Sequence, residues 1–168
     1  MALVVADTSP LRFLVEIGCE HVLPRLFQQV WIPGAVAGEL QHARTPELVR
    51  RWAGHLPSWV EVREISTSSF DPDAAEIDRG EWEAIELARE IHAHLLLIDD
   101  RAGVQAARAQ GFTVTGTLGV LVEAAAARLI EIEEALEKLG QTKFRRTPDL
   151  FAHTVKLARA RREGRSHE

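Results

Sequence analysis

The sequence has 168 residues, enough for one domain with its own hydrophobic core; 46% are hydrophobic and 27% charged, as in globular proteins. The single cysteine, Cys19, cannot form an internal disulfide and belongs to no zinc-ligand pattern. A chain without disulfides is typical of a reducing compartment. The net charge of −5 is divided unevenly, because the segment from Lys143 onward carries +5 and the rest of the chain −10.

This charge distribution bears on partners. A strongly acidic body repels phosphate groups unless cations intervene, so it binds nucleic acid poorly by itself. A basic C-terminal segment together with a metal-filled acidic pocket would allow the acidic body to bind nucleic acid. Equally, the basic segment could be a solvated helix without a partner. Only residues 2–6 are apolar before Asp7, and no basic stretch precedes them. We therefore expect a cytoplasmic protein without membrane association.

In the first half of the chain, short β-branched apolar runs alternate with helical patterns. Thr8, Ser9 and Pro10 are typical of a helix start, and Pro33 opens another helix. Strands are predicted at residues 2–6, 30–32 and 59–65, the last at a sheet edge, and helices from residue 8, at 21–27, from 33 to about 43, and from 45 to about 53. Residues 66–73 are polar and are predicted as a loop.

The second half repeats this alternation. Gly111 and Gly140 each follow a helical pattern and are predicted to end it. Strands are predicted at residues 95–98 and 112–115, and helices at 79–92, 101–110, 117–127, 130–139 and 148 to about 162. Such alternation predicts a three-layer α/β/α domain with a largely parallel central sheet.

Two acids follow predicted strands. Asp7 comes after residues 2–6 and Asp99 after residues 95–98. In an open α/β sheet, binding sites form at the carboxyl ends of the strands. Each of these aspartates is explained equally well as a helix cap or turn residue when taken alone.

Two further acids lie on the apolar faces of predicted helices. Glu81 precedes Ala84 and Ile85 by three and four residues, so it shares their face, whereas Glu83, Glu86 and Glu90 are predicted on the opposite side, where charge is ordinary. Glu39 stands three residues after Val36 and four before Ala43. Either could instead lack a role in a site: Glu81 would then be a partly exposed residue in the first helical turn, and Glu39 a residue at the core boundary whose carboxylate reaches water.

Four inward-facing or strand-end carboxylates would repel one another at close range unless cations neutralised them. Oxygen ligands without histidine or cysteine favour Mg²⁺ or Mn²⁺ over zinc. Such a cluster suits metal-assisted phosphodiester hydrolysis, with a metal activating water and stabilising the leaving oxygen. Thr8, Ser9 and Thr117 are candidates for orienting water or phosphate, although helix capping explains each of them.

At these positions the sequence resembles a known family. The segments VVADTSPLRFLVEIG, VWIPGAVAGEL, DRGEWEAIELA and LLLIDDRAGVQAARAQGFTVTGTLGVLVEA are similar to the PIN-domain superfamily, in its prokaryotic VapC-like branch. The similarity runs from about residue 2 to residue 160. By motif, Asp7, Glu39, Glu81 and Asp99 match the four acids of that family.

The resemblance implies an α/β/α sandwich with an acidic pocket for Mg²⁺ or Mn²⁺ and endoribonuclease activity on RNA. It also implies a homodimer and, because many relatives are toxins of toxin–antitoxin pairs, a small antitoxin partner. We expect a nuclease domain at residues 1–140 and a basic helical extension at residues 141–168, packed on or near it.

The sequence departs from the family at several points. The third acid is usually Asp, and Glu83 is an alternative to Glu81 in that role. Asp100 is an alternative to Asp99. After the fourth acid, members of the family often carry another polar residue near the metals, whereas the TGTLG segment here offers only Thr115 and Thr117. A one-metal site is therefore as compatible with the sequence as a two-metal site.

Three other functions remain open at this point. A HAD-like phosphohydrolase would need an acid two residues after Asp7, where Ser9 stands. A phosphoreceiver domain would need a lysine after the strand at residues 112–115, where Gly116 and Thr117 stand. A non-catalytic RNA- or partner-binding module on a PIN scaffold is the third alternative.

Overall fold

The computed structural model describes residues 2–66, 70–71 and 76–167. Within these residues the chain forms five strands and nine helices. The strands are β1 (Val4–Ala6), β2 (Val30–Ile32), β3 (Val60–Val62), β4 (Leu95–Leu97) and β5 (Val114–Thr115). The helices are α1 (Thr8–Glu16), α2 (Val22–Phe27), α3 (Gly34–Leu40), α4 (Glu47–Gly54), α5 (Arg79–Glu90), α6 (Arg101–Ala109), α7 (Thr117–Ala126), α8 (Ile132–Gly140) and α9 (Pro148–Arg165).

The strands form one sheet in the order β3-β2-β1-β4-β5, and every neighbouring pair is parallel. The central strand β1 pairs with β2 on one side and with β4 on the other. The predicted three-layer sandwich with a parallel sheet is confirmed, and so is the edge position of β3.

Alternate residues of the strands enter two separate cores. Val4 and Ala6 pack on the side that also holds α1, α7 and α8, whereas Val5 packs on the side that holds α5. Strands covered on both faces require apolar residues at consecutive positions, which explains the unbroken runs seen in the sequence. Fully buried Leu14 and Ile85 each contribute about 1.5–3 kcal/mol through burial of apolar surface.

The order of the strands defines where a crevice forms. The chain proceeds from β1 outward to β2 and β3, then returns to add β4 on the other side of β1. The connections on either side of this switch point diverge and leave a crevice beyond the carboxyl ends of β1 and β4. Asp7 is fixed there, because its backbone N–H donates to the Leu97 carbonyl at 2.9 Å.

Several boundaries differ from the predicted ones. The helix after Pro33 ends at Leu40 rather than near residue 43, since the Thr45 hydroxyl donates to the Glu39 carbonyl at 2.8 Å and fixes a turn. Of the predicted loop at residues 66–73, residues 67–69 and 72–73 lie outside the described part of the chain.

The C-terminal helix packs against α7, and Thr154 and Ala158 are buried there. Within the described residues, no helix has both the length and the apolar character that crossing a membrane requires.

Candidate metal centre

An open cavity of about 310 Å³ lies beyond the carboxyl end of β1. Its lining combines four acids with two arginines, one histidine and three hydroxyl residues. The residues that line it are Asp7, Thr8, Ser9, Arg12, Glu39, His42, Arg44, Thr45, Asp78 and Glu81. The fold therefore brings three of the four acids selected from the sequence, Asp7, Glu39 and Glu81, to one cavity.

Asp7 is the most deeply buried of these acids, with 4% of its surface exposed. Although it occupies the N-cap position of α1, its side chain makes no capping hydrogen bond, and its Oδ1 atom is buried without a hydrogen-bond partner. Burial raises the pKa of Asp7 well above 3.8, the Thr8 N–H lowers it in part, and the charges of Asp78, Glu81 and Glu39 raise it further. The helix-cap explanation of Asp7 thus leaves one buried carboxylate oxygen unaccounted for.

Glu39 lies on α3 and reaches across to α1 and α5. The Thr8 hydroxyl donates to Glu39 Oε2. On the other side, a Cβ atom at Gly80 would stand 2.5 Å from Glu39 Oε1, so no side chain fits there while Glu39 keeps its place. Burial and the charges of Asp78 and Glu83 raise the pKa of Glu39, against lowering hydrogen bonds from Thr8 and the Gly80 backbone.

Glu81 is held at the start of α5 by a capping box with Asp78. The Glu81 N–H donates to Asp78 Oδ1 at 2.8 Å, and the Asp78 N–H donates to Glu81 Oε2 at 3.3 Å. Burial, followed by the charges of Asp78 and Asp100, raises the pKa of Glu81 to about 7. Both explanations considered from the sequence hold at once, since Glu81 stands in the first helical turn and lines the cavity.

Asp99 does not line the cavity, although it lies near the end of β4. Its carboxylate accepts two hydrogen bonds from Thr117, from the backbone N–H at 2.7 Å and from the hydroxyl at 2.6 Å. A Cβ atom at Gly116 would stand 2.5 Å from Asp99 Oδ1, so the glycine leaves room for this carboxylate. Burial raises the pKa of Asp99, and the Thr117 bonds lower it in part. Its alternative, Asp100, caps α6 by accepting the Ala102 N–H at 3.1 Å.

Two acids have roles that sequence reasoning did not assign. Asp78 was not selected, although the spacing of Asp78 and Glu81 before an apolar stripe is a capping-box pattern. Glu83 was predicted on an exposed face, and this was wrong, since only 5% of it is exposed. Glu83 accepts a hydrogen bond from the Ala35 N–H at 3.1 Å and pairs with Arg79 at 3.0 Å. Its charge is thus satisfied away from the cavity, and Glu81 is the acid that lines it.

The chemistry of the lining fits a hard divalent cation. Carboxylates whose charges raise one another's pKa, and a buried Asp7 oxygen without a partner, are the environment that such a cation stabilises. Among the described residues, no three histidine, cysteine, aspartate or glutamate side chains form a ready-made ligand group. Two of the acids are not arranged as ligands because each already accepts a hydrogen bond within the protein. The Thr8 hydroxyl donates to Glu39 Oε2, and the Asp78 N–H donates to Glu81 Oε2.

Comparison with known proteins places these features in a family. A family model described as a PIN domain matches residues 3–160. Among solved structures, the chain is similar to a PilT N-terminus domain protein of the archaeon Sulfolobus solfataricus. That similarity has 16% sequence identity and a TM-score of 0.47, over 86% of this chain and 99% of the other. No curated protein matches the sequence.

Proposed function

Because the chain belongs to the PIN-domain family, whose members are generally nucleases that use divalent metal ions, we propose that it is a metal-dependent endoribonuclease. The observation that carries the proposal is the buried, unpartnered Oδ1 of Asp7 on a residue that shares one cavity with Glu39 and Glu81. Family membership leaves the HAD-like and phosphoreceiver alternatives without support.

In this proposal Asp7, Glu39 and Glu81 hold the ion, and the oxygen-rich lining favours Mg²⁺ or Mn²⁺. Such an ion, when bound, supplies a Lewis acid that lowers the pKa of a bound water and stabilises the oxygen that leaves phosphorus. His42 does not compete as a zinc ligand through Nδ1, because that nitrogen accepts the Arg44 N–H at 3.1 Å.

The surrounding residues position these carboxylates. The Thr8 hydroxyl holds one Glu39 oxygen, and the Asp78 capping box fixes Glu81 at the start of α5. Asp99 stays in the proposal as a fourth acid of the site, held by Thr117 beside the end of β4. The oxygen of a water molecule bonds to the phosphorus of the RNA backbone and the water loses a proton to solvent. The bond from phosphorus to one ribose oxygen breaks, and that oxygen takes up a proton from solvent.

The non-catalytic alternative is favoured by a different observation. Asp99 is bound to Thr117 and lies outside the cavity lining, so three of the four family acids, not four, line it. A module of this kind would bind RNA or a protein without cutting RNA. Measured turnover separates the two functions.

The test is an RNA cleavage assay on the purified protein. With Mn²⁺ or Mg²⁺, a fluorescently labelled single-stranded RNA is expected to be cut internally, and excess EDTA is expected to stop cutting because the ion is removed. Restoring Mn²⁺ after EDTA should restore the rate, which excludes irreversible damage by the chelator. Undiminished cleavage in EDTA, or RNA binding without any metal-dependent cleavage, would contradict the proposal.

A toxin role, a homodimer and a small antitoxin partner belong to the proposal through the likeness to VapC-like relatives. Induced expression in a bacterial host is expected to arrest growth if the protein is a toxin. Co-expression of the product of a small neighbouring gene should relieve that arrest.

A further inference from the structure

Two groups of basic residues in the chain have different surroundings. One group lies on α9, and its arginines form ion pairs with acids of α7 and α8 and of the connection between them. The pairs are Arg159 with Glu133, Arg161 and Arg165 with Glu123, and Arg162 with Glu131. None of the described α9 residues lines the acidic cavity. Much of the positive charge of α9 is therefore balanced within the protein.

The other group lies in the cavity itself. Arg12 comes from α1, and His42 and Arg44 come from the turn between α3 and α4. All three lie on or next to the elements that carry Asp7 and Glu39, whereas Asp78 and Glu81 belong to the start of α5. The lining holds four carboxylates against two guanidinium groups, so one bound dication would leave it without net charge.

These basic side chains retain unused hydrogen-bonding capacity. Arg12 forms an ion pair with Glu16, with Nε 3.5 Å from Glu16 Oε2, but both of these atoms are buried without a hydrogen bond. Arg44 is exposed and forms no ion pair within the described residues. His42 Nδ1 accepts the Arg44 N–H, which leaves Nε2 as the nitrogen that carries the proton and can donate.

The turn that carries two of these residues is well fixed. The Thr45 N–H donates to the His42 carbonyl at 2.9 Å, and the Thr45 hydroxyl donates to the Glu39 carbonyl at 2.8 Å. Arg50 Nε adds a hydrogen bond to the Thr45 carbonyl at 3.0 Å. The position of Arg44 is therefore tied to the backbone of Glu39, an acid of the cavity.

Resting on the proposed function, we propose that Arg12, His42 and Arg44 bind the RNA phosphate next to the one that is cut. The RNA backbone then crosses the cavity next to the start of α1 and the α3–α4 turn, and the acids Asp7, Glu39 and Glu81 remain available to the ion. Guanidinium groups bind phosphate oxygens in a paired geometry, and the imidazole N–H adds one donor. Contacts of this kind set the register of the strand and carry no sequence information.

The test measures RNA binding separately from cutting. Fluorescence anisotropy of a labelled 12-nucleotide single-stranded RNA is recorded with Ca²⁺ over a range of NaCl concentrations, and cleavage with Mn²⁺ is followed in parallel. Arg44→Gln and Arg12→Gln are expected to weaken RNA binding about tenfold, as for the loss of one charge-assisted hydrogen bond. The slope of log affinity against log salt should fall by about 0.7 for each variant.

Three further readouts separate phosphate binding from a structural defect. In the Arg44→Gln and Arg12→Gln variants KM should rise, whereas kcat and the affinity for Mn²⁺ should stay nearly unchanged. Arg44→Lys should restore the salt slope because it keeps the charge. The matched control is Arg161→Gln on α9, which is expected to bind RNA like the wild type. Arg44 is exposed, so its replacement does not disturb the core even if the Arg12 variant loses stability.

The inference is overturned if both cavity variants bind RNA like the wild type, or if Arg161→Gln loses as much affinity as they do. A wild-type protein that binds no RNA overturns the inference and the proposed function together. If the wild type binds RNA without cutting it and the cavity variants bind more weakly, the proposed function fails and the phosphate-binding role stands.

Discussion

Replacing Asp7 by Asn is expected to reduce metal-dependent RNA cleavage by about 10²–10³-fold, as for the loss of about 3–4 kcal/mol of transition-state stabilisation. The carboxylate of Asp7 is the most buried acid of the cavity, and its Oδ1 has no partner in the protein. An amide is a much weaker ligand for a hard cation and carries no charge to offset that of the ion. The measurement is the single-turnover rate with saturating Mn²⁺.

The same substitution is expected to stabilise the protein in EDTA. Burial and the neighbouring acids raise the pKa of Asp7, so they oppose its ionised form when no cation is bound. Asn removes that charge, and the free energy of unfolding should rise by about 1–3 kcal/mol, which shifts Tm upward by several degrees. Added Mn²⁺ should raise the Tm of the wild type and not that of the variant.

The matched control is Asp149→Asn, because Asp149 is an exposed acid in the first turn of α9 and does not line the cavity. Its cleavage rate should equal that of the wild type, and its Tm should not rise in EDTA. An Asp7→Asn protein that cuts RNA at the wild-type rate would remove Asp7 from the site. A lower Tm of that variant in EDTA would contradict the electrostatic account of the cavity.

The second large effect concerns pH. Asp7, Glu39 and Glu81 all have pKa values raised above their ordinary values of 3.8 or 4.5, and that of Glu81 is raised to about 7. Between the ordinary and the raised pKa values, the folded protein therefore binds more protons than the unfolded chain does. In EDTA the free energy of unfolding should fall as pH rises from about 4.5 to about 7. The contribution of Glu81 to this fall is at most about 3 kcal/mol, because solvent in the open cavity screens part of the interaction.

A bound dication reverses this dependence. The ion binds ionised carboxylates, so the stabilisation by Mn²⁺ should grow over the same pH interval in which the stability in EDTA declines. Denaturant unfolding at a series of pH values, with Mn²⁺ and with EDTA, measures both curves. Glu81→Gln should flatten each curve, while Glu137→Gln, at an exposed position of α8, should leave both unchanged. A stability in EDTA that rises between pH 5 and pH 7 would show that these acids are not buried together.

The fold was predictable because its signals are local. The apolar runs at β1, β2 and β4 are buried on both faces, and such strands need consecutive apolar residues. The inward position of Glu39 and Glu81 followed from helical spacing for the same reason. Helical periodicity assigns a face to each residue before any tertiary contact is known.

The parts of the site that escaped prediction depend on contacts between distant segments. Glu83 is buried because the start of α3 packs against α5 and the Ala35 N–H donates to its carboxylate. Asp99 does not line the cavity and accepts its hydrogen bonds from Thr117, which stands 18 residues later in the chain. The spacing of residues along one helix contains no information on either contact.

The turn between α3 and α4 was predictable in part. The early end of α3 at Leu40 brings His42 and Arg44 to the cavity, and the Thr45 hydroxyl stabilises this end through the Glu39 carbonyl. Threonine followed by proline is typical of a turn that leads into a new helix, and the sequence predicted the start of α4 from this pattern. The end of α3 at Leu40 was not predicted, because it depends on the hydrogen bond from Thr45 to the Glu39 carbonyl.

Anomalous X-ray diffraction from crystals soaked in Mn²⁺ locates the ion directly. The account predicts one strong anomalous peak in the cavity, in contact with Asp7 and with at least one of Glu39 and Glu81. A protein that binds Mn²⁺ only elsewhere, or shows no peak at saturating Mn²⁺ with these three carboxylates ordered, would contradict it.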